Sequence, residues 1–289
     1  MGEEKDIWIR ERLHPDFEHA TRASKLLYEK KSHYQLIQIY ETNIYGKMLV
    51  LDGAVQTTEK DQHYYHEMIV DLPLLLLGCC QKALIIGGGD GGALRAALEH
   101  NIEEAWLVEL DEEVIKVSQN YLPEISRGAF NDSRTRIVVM DGFLFLKDKQ
   151  DFFDLIVVDS PDPVGEAEKL YSDEFYSLLK RALKNGGAVA GQAGSPWLQP
   201  ALCHTIKKGL EKHFKYVNFY AGFVPSYPGT YWLYYLATDA FDPKETALRR
   251  FAGKLAEESH RYVFLNADYI QACFSLPEWV KRTLETGEW

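Results

Sequence analysis

The densest chemistry-bearing stretch is "LIIGGGDGG", residues 84–92. Gly87, Gly89 and Gly92 have the G-x-G-x-x-G spacing that lets a nucleotide phosphate approach the backbone. Asp90 stands inside that spacing and would repel a pyrophosphate. Like charges about 4 Å apart lose roughly 4 kcal/mol at an effective dielectric near 20, and opposite charges gain as much. No Gly-Lys-Ser/Thr follows, which excludes a P-loop. Three more apolar runs end in acids: Glu109 and Asp111 in "VELD", Asp141 beside Gly142, and Asp159 and Asp162 in "VVDSPDP". Taken singly, each has a structural reading. Asp111 and Asp141 can cap the helices that follow, and Asp159 and Asp162 can serve a turn stiffened by Pro161 and Pro163. Glu109 lies where a dinucleotide or nucleoside site keeps a carboxylate for ribose hydroxyls, and Asp141 can accept from an adenine amine. Together they favour a nucleoside bearing a sulfonium or an amine over a dinucleotide. His63 and His66 fall at i,i+3 spacing, but no H-E-x-x-H motif accompanies them, so no metal site is expected.

These residues need elements that carry them to one edge. "KALIIG", "EAWLVEL", "RIVVM", "FDLIVVD" and "GGAVAGQ" read as buried strands, separated by the helical patterns "GALRAALEH", "DEEVIKVSQNYL", "GFLFLKD" and "DEFYSLLKRAL". Apolar strands alternating with amphipathic helices predict a doubly wound parallel sheet. Its ligand belongs at the carboxyl ends of the strands. "LCHTIKKGLEKHF" is a further helix, and "YVNFYAGF" and "YWLYYLAT", joined by "VPSYPGT", predict an antiparallel edge. Ahead of this lie the β-rich runs "SKLLYEKK", "YQLIQIYE" and "YGKMLVLDG", a small antiparallel sheet. "DQHYYHEMIVDLPLLLL" reads as a helix interrupted by Pro73. The predicted division is a β domain over 1–60 and an α/β domain over 61–289.

Among the 289 residues a formal charge of −11 speaks against a nucleic-acid-binding surface. The four cysteines show no C-x-x-C pair, as expected of a reduced, cytoplasmic protein. The charged N-terminus lacks a signal core, and "LPLLLLGCC" is too short to span a membrane.

The segments "VLDGAVQTTEKDQHYYHEM", "ALIIGGGDGGALRAALEH", "VELDEEVI", "DGFLFL", "VDSPDPVG" and "PSYP", in this order and spacing, resemble the polyamine aminopropyltransferase family from about Trp8 to Thr238. The resemblance implies a Rossmann-like, methyltransferase-type domain behind a small N-terminal β domain, assembled as a homodimer or homotetramer. It also implies transfer of an aminopropyl group from decarboxylated S-adenosylmethionine, as co-substrate and without a cofactor, to an amine such as putrescine. By motif, Gln35 and Gln56 would line the nucleoside and aminopropyl pocket, with Tyr65 and His66 beside the reacting groups. Asp90 would hold the aminopropyl ammonium, Glu109 the ribose, and Asp141 with Gly142 the adenine. Asp159 would be catalytic, Asp162 an acceptor ligand, and Tyr227 a neighbour of the attacking nitrogen. Trp8, and with it Glu11, would flank the far end of the acceptor.

The chemistry fits that cast. An alkylammonium ion, with a reference pKa near 10, must lose a proton before it can attack. Asp159 at about 3.9 is a weak base for that step, so its expected work is to accept hydrogen bonds and aim the nitrogen. The chain departs from the family at "DSPDP", "VGEAEKLY" and "PSYPGTYW", all on the acceptor side. A methyltransferase using intact S-adenosylmethionine and a non-catalytic ligand-binding homologue are the competing readings. Asp90 disfavours the first, and an intact Asp159, Tyr65 and Tyr227 disfavour the second.

Overall fold

The structure is a computed structural model and describes residues 7–161, 165–251 and 261–289. The chain begins with a hairpin that the sequence reading did not anticipate, β1 (Ile7–His14) and β2 (Phe17–Ala23). Its charged residues disguise a strand with only one apolar side. A four-stranded antiparallel sheet follows, β3 (Lys25–Lys31), β4 (Leu36–Thr42), β5 (Gly46–Leu51) and β6 (Ala54–Thr58).

Next come α1 (Gln62–His66), a wide π-helical turn (Glu67–Asp71) and α2 (Leu72–Leu77). Pro73 does not break this rod. It falls in the first turn of α2, and the widened turn ahead of it relaxes the i→i−4 ladder that a proline cannot join.

The large sheet runs in the order β12-β13-β11-β10-β7-β8-β9. Its strands are β7 (Lys82–Gly87), β8 (Glu104–Glu109), β9 (Thr135–Val139), β10 (Phe153–Asp159), β11 (Leu183–Gly194), β12 (Tyr216–Phe223) and β13 (Tyr231–Thr238). β7 to β11 are parallel neighbours. The expected antiparallel edge is present: β12 and β13 pair antiparallel at one end of the sheet, and β13, antiparallel to β11 as well, lies between them. An almost wholly apolar strand such as "WLYYLA" is better buried with a neighbour on each side.

Helices α3 (Gly92–Leu98), α4 (Glu112–Tyr121), α5 (Pro123–Ser126), α6 (Gly142–Leu146), α7 (Asp173–Ala182), α8 (Pro200–Glu211), α9 (Pro243–Arg250), α10 (Ala267–Ala272) and α11 (Glu278–Thr286) flank the sheets. Alternation along β7 shows why both faces are covered. Ile85 joins the core with Leu94 and Ile270, while Leu84 and Ile86 join that with Phe145, Leu179 and Leu284. Each such side chain is worth about 1.5–3 kcal/mol when fully buried.

The four-stranded sheet packs Ile37, Ile39 and Leu49 on Val114 and Val117 of α4. Polar contacts reinforce this contact. Asp111 caps α4 through Glu113 N (3.1 Å) and accepts from Ser32 Oγ (2.6 Å) and Gln35 Nε2 (3.1 Å). The β-rich part thereby becomes a wall of the cavity above the sheet.

Candidate active site

A cavity of about 560 Å³ opens at the carboxyl ends of β7, β8 and β10 and is roofed by β5, β6 and the residues around Gln35. Gln35, Gln56, Tyr65, Gly87, Gly89, Asp90, Glu109, Asp141, Gly142, Asp159 and Tyr227 all line it. The sequence expectation therefore converges on one space. Two expected residues do not line it. Trp8 is 46% exposed and borders a separate hollow with His19, Arg22 and Asn43, because alternation on β1 turns it away from the face that carries Ile9 and Glu11 inward. Glu11 is buried and does reach the cavity wall, its carboxylate accepting from Val55 N at 3.0 Å. His66 is fully buried behind Asp90, its Nε2 3.6 Å from Asp90 Oδ2. Asp162 lies outside the described residues.

The reacting end is built around Asp159. Its Oδ1 accepts from the Tyr65 hydroxyl at 2.7 Å. The Tyr65 ring lies 5.6 Å from that of Tyr227, whose hydroxyl donates to Gln56 O at 2.7 Å. Asp61 fixes the Tyr227 loop by accepting from Ser226 N at 2.8 Å. Burial, helped by the charges around Asp159, keeps both tyrosines protonated far above their ordinary range. They are hydrogen-bond donors and aromatic walls, not bases. Burial also pushes Asp159 up to about 6, with the Asp90 charge adding to it and the Tyr65 hydrogen bond opposing. This alters the expectation that Asp159 is too weak a base, since a carboxylate near 6 is far better matched to a proton that must leave.

At the other end, burial raises Glu109 to about 7, although Asp111 N donates to it at 2.9 Å. A buried carboxylate with a raised pKa is ionised only above that value. Ligand capture by free enzyme is therefore expected to weaken as pH falls through about 7 and then about 6. A pH profile of kcat/KM, which reports the free enzyme, checks this: the loss must lie on the acid side.

The glycines are explained by the site itself. Gly87 has φ +84° and pairs with Asp159 across the sheet, and a Cβ there would lie 2.1 Å from the Asp159 carbonyl oxygen. On Gly88 and Gly89 a Cβ would come within 2.8 Å of Asp159 Oδ2 and 2.9 Å of Glu109 Oε2. At Gly92 it would meet His66 Cε1 at 2.0 Å. Gly92→Ala is thus expected to expel the His66 ring at a cost of about 1–3 kcal/mol, as overpacking does. Thermal unfolding measures it, and a melting temperature equal to that of the parent chain would contradict this packing.

Asp141 serves as the helix cap that its sequence position allowed, with Oδ1 accepting from Phe143 N (2.8 Å) and Leu144 N (3.2 Å). Its Oδ2 pairs with Lys169, which also lines the cavity. Gln192 and Trp232 are wall residues that the sequence reading missed. Gln192 Nε2 donates to Ser160 O at 3.2 Å, and its Oε1 accepts from Trp232 Nε1 at 3.2 Å. Gln192 stands at the end of "GGAVAGQ", a strand end that a search for acids alone passes over.

A Rossmann-like, methyltransferase-type sheet with carboxylates at its switch point defines a nucleoside-dependent group transferase in class. Comparison with known proteins narrows this. Residues 62–247 match the family described as Spermine/spermidine synthase domain, and residues 7–59 match Spermidine synthase tetramerisation domain. A polyamine aminopropyltransferase of Caldicellulosiruptor saccharolyticus is 38% identical over 98% of this chain and 99% of that one. One of Thermoplasma volcanium is 37% identical over 95% and 96%. Spermidine synthase from Thermotoga maritima superposes with a TM-score of 0.88 at 32% identity, covering 96% of this chain and 94% of that one. A spermidine synthase in complex with the transition-state analogue AdoDATO matches with the same TM-score and coverage at 33% identity. The chain belongs to the spermine/spermidine synthase family of polyamine aminopropyltransferases. Among the described residues, no helix is long and apolar enough to cross a membrane.

Proposed function

We propose that the protein is a spermidine synthase: it moves the aminopropyl group of decarboxylated S-adenosylmethionine onto putrescine, releasing 5′-methylthioadenosine. The observation that carries this reading is the pairing of two carboxylates, buried Asp90 and half-buried Asp159, on one cavity wall, with Tyr65 bound to the second. Two cationic groups meet in the reaction, and each needs an anion beside it. Asp90 holds the ammonium of the aminopropyl donor, and Glu109 with Gln35 takes the ribose. Asp159 orients the acceptor nitrogen and receives its proton, while Tyr65 and Tyr227 fix the angle of attack.

The nitrogen lone pair then forms the new C–N bond to the carbon beside sulfur. The C–S bond breaks, and its electron pair stays on sulfur as a neutral thioether. The sulfonium is already a leaving group, so the chemistry needs no cofactor. The match to a tetramerisation domain supports a homo-oligomer, and four cysteines without a disulfide fit a reducing cytoplasm.

Incubating the protein with decarboxylated S-adenosylmethionine and, separately, putrescine, cadaverine, agmatine and spermidine, followed by mass spectrometry, tests the reading. Spermidine formed fastest from putrescine is the expected result. A faster product from another amine would reassign the acceptor, and no methylthioadenosine with any amine would overturn the transfer itself.

A further inference from the structure

The loop that carries Tyr227, residues 224–230, joins β12 to β13. The groups that hold it come from the far side of the cavity, between Tyr45 and Asp61. Tyr45, in the turn between β4 and β5, donates from its hydroxyl to Pro225 O at 3.0 Å, across 180 residues of chain. The next residue, Ser226, donates its N–H to Asp61 Oδ2 at 2.8 Å. Tyr227 itself reaches Gln56 O on β6 at 2.7 Å. Three consecutive residues of one loop are thus pinned to three points of one neighbouring segment.

Tyr45 is held as a fixed donor. Thr42 Oγ1 accepts from Tyr45 N at 3.0 Å and donates to Gly46 O at 2.9 Å, while Lys60 N donates to Tyr45 O at 3.2 Å. Its half-buried ring packs against the cluster of Ile9, Met48 and Val55. Burial, with the Asp61 charge adding to it, raises the hydroxyl above its ordinary range, so the hydroxyl keeps its proton. Bonds inside the loop, Tyr227 N to Val224 O and Thr230 N to Tyr227 O, shape it without placing it over Asp159. Pro225 and Pro228 have no N–H to offer a second anchor.

We propose that Tyr45 is a positioning residue for the transfer: through the Pro225 carbonyl it sets the Tyr227 loop, and so the ring that walls the acceptor nitrogen beside Tyr65 and Asp159. It touches no ligand, because it is not part of the cavity wall and opens instead onto the hollow that Trp8 borders. Its influence falls on the acceptor amine, since the Tyr227 ring stands 5.6 Å from that of Tyr65 at the Asp159 end. The inference rests on the reaction assigned above.

Tyr45→Phe keeps the ring and removes only the hydroxyl. With saturating decarboxylated S-adenosylmethionine, kcat/KM for putrescine is expected to fall about tenfold, one hydrogen bond's worth. Affinity for 5′-methylthioadenosine should stay within about twofold. Because Tyr45 acts through Tyr227, its substitution is expected to lose its effect in a Tyr227→Ala background, changing kcat/KM there by less than about twofold. Hydrogen exchange read by mass spectrometry follows the loop independently of activity. Peptides covering Ser226 and Tyr227 are expected to exchange faster in Tyr45→Phe than in the parent chain, with those of β7 unchanged.

A full additional loss in the double variant overturns the inference, as does equal weakening of the amine and the nucleoside. Unaltered exchange at Ser226 and Tyr227 in an active enzyme overturns it alone and leaves the proposed function standing. A parent chain that turns over no amine refutes the proposed function, and with it any positioning role in this transfer.

Discussion

Asp159→Asn is expected to lower kcat by about 10³-fold while the affinity for 5′-methylthioadenosine changes by less than about threefold. The amide has the same size, so the space left open at Gly88 still holds it, and its carbonyl oxygen can accept from Tyr65. What it lacks is charge and basicity. An acceptor amine arrives as an ammonium ion, and the carboxylate both attracts it and takes its proton. In the parent chain burial and the neighbouring Asp90 raise that carboxylate to about 6, which narrows the gap to the ammonium it must deprotonate. Single-turnover measurements with saturating co-substrates separate the chemical step from binding. An unchanged single-turnover rate would remove Asp159 from the chemistry and leave it as a turn residue.

Asp90→Asn is expected to act on the other substrate. Its predicted signature is a rise of about 10²-fold or more in KM for decarboxylated S-adenosylmethionine, together with a gain in relative affinity for the carboxylated form. An opposite-charge contact near 4 Å is worth roughly 4 kcal/mol at an effective dielectric of about 20, and part of that is lost to residual solvent in an open cavity. Asparagine can still accept from Gly92 N, so the loop should keep its shape. Competition binding of the two nucleosides measures the ratio. A ratio unmoved by the substitution would mean that the parent site does not select its substrate through this anion, and the methyltransferase reading would regain its standing.

Much of the site was legible from the chain because its signals are local. A strand of period two, a helix of period 3.6 and an acid at the junction between them are properties of ten consecutive residues. The strand ends bearing Asp90, Glu109 and Asp159 could therefore be placed at one edge without coordinates. The β1–β2 hairpin was missed because its exposed charges hide a single buried stripe. Trp8 was placed in the cavity by its motif and stands outside it, since one step along a strand reverses the face. Gln192 was passed over because it carries no charge.

Composition and spacing alone determined that this chain builds a doubly wound sheet with anions where a nucleotide loop would want none. Which atoms those anions meet was decided only in three dimensions. Asp159 finds Tyr65 from 94 residues away, and Asp111 finds Ser32 across 79. Contacts of that range depend on loop closures and core packing that no short window encodes. The glycine loop shows the difference best. Its spacing predicted room for a ligand, but the nearest claims on that room come from the protein's own Asp159, Glu109 and His66, packed in until a single methyl group would collide with them. The backbone is bare there because half-buried carboxylates from the strands on either side of β7 and a buried histidine from α1 must crowd against one turn.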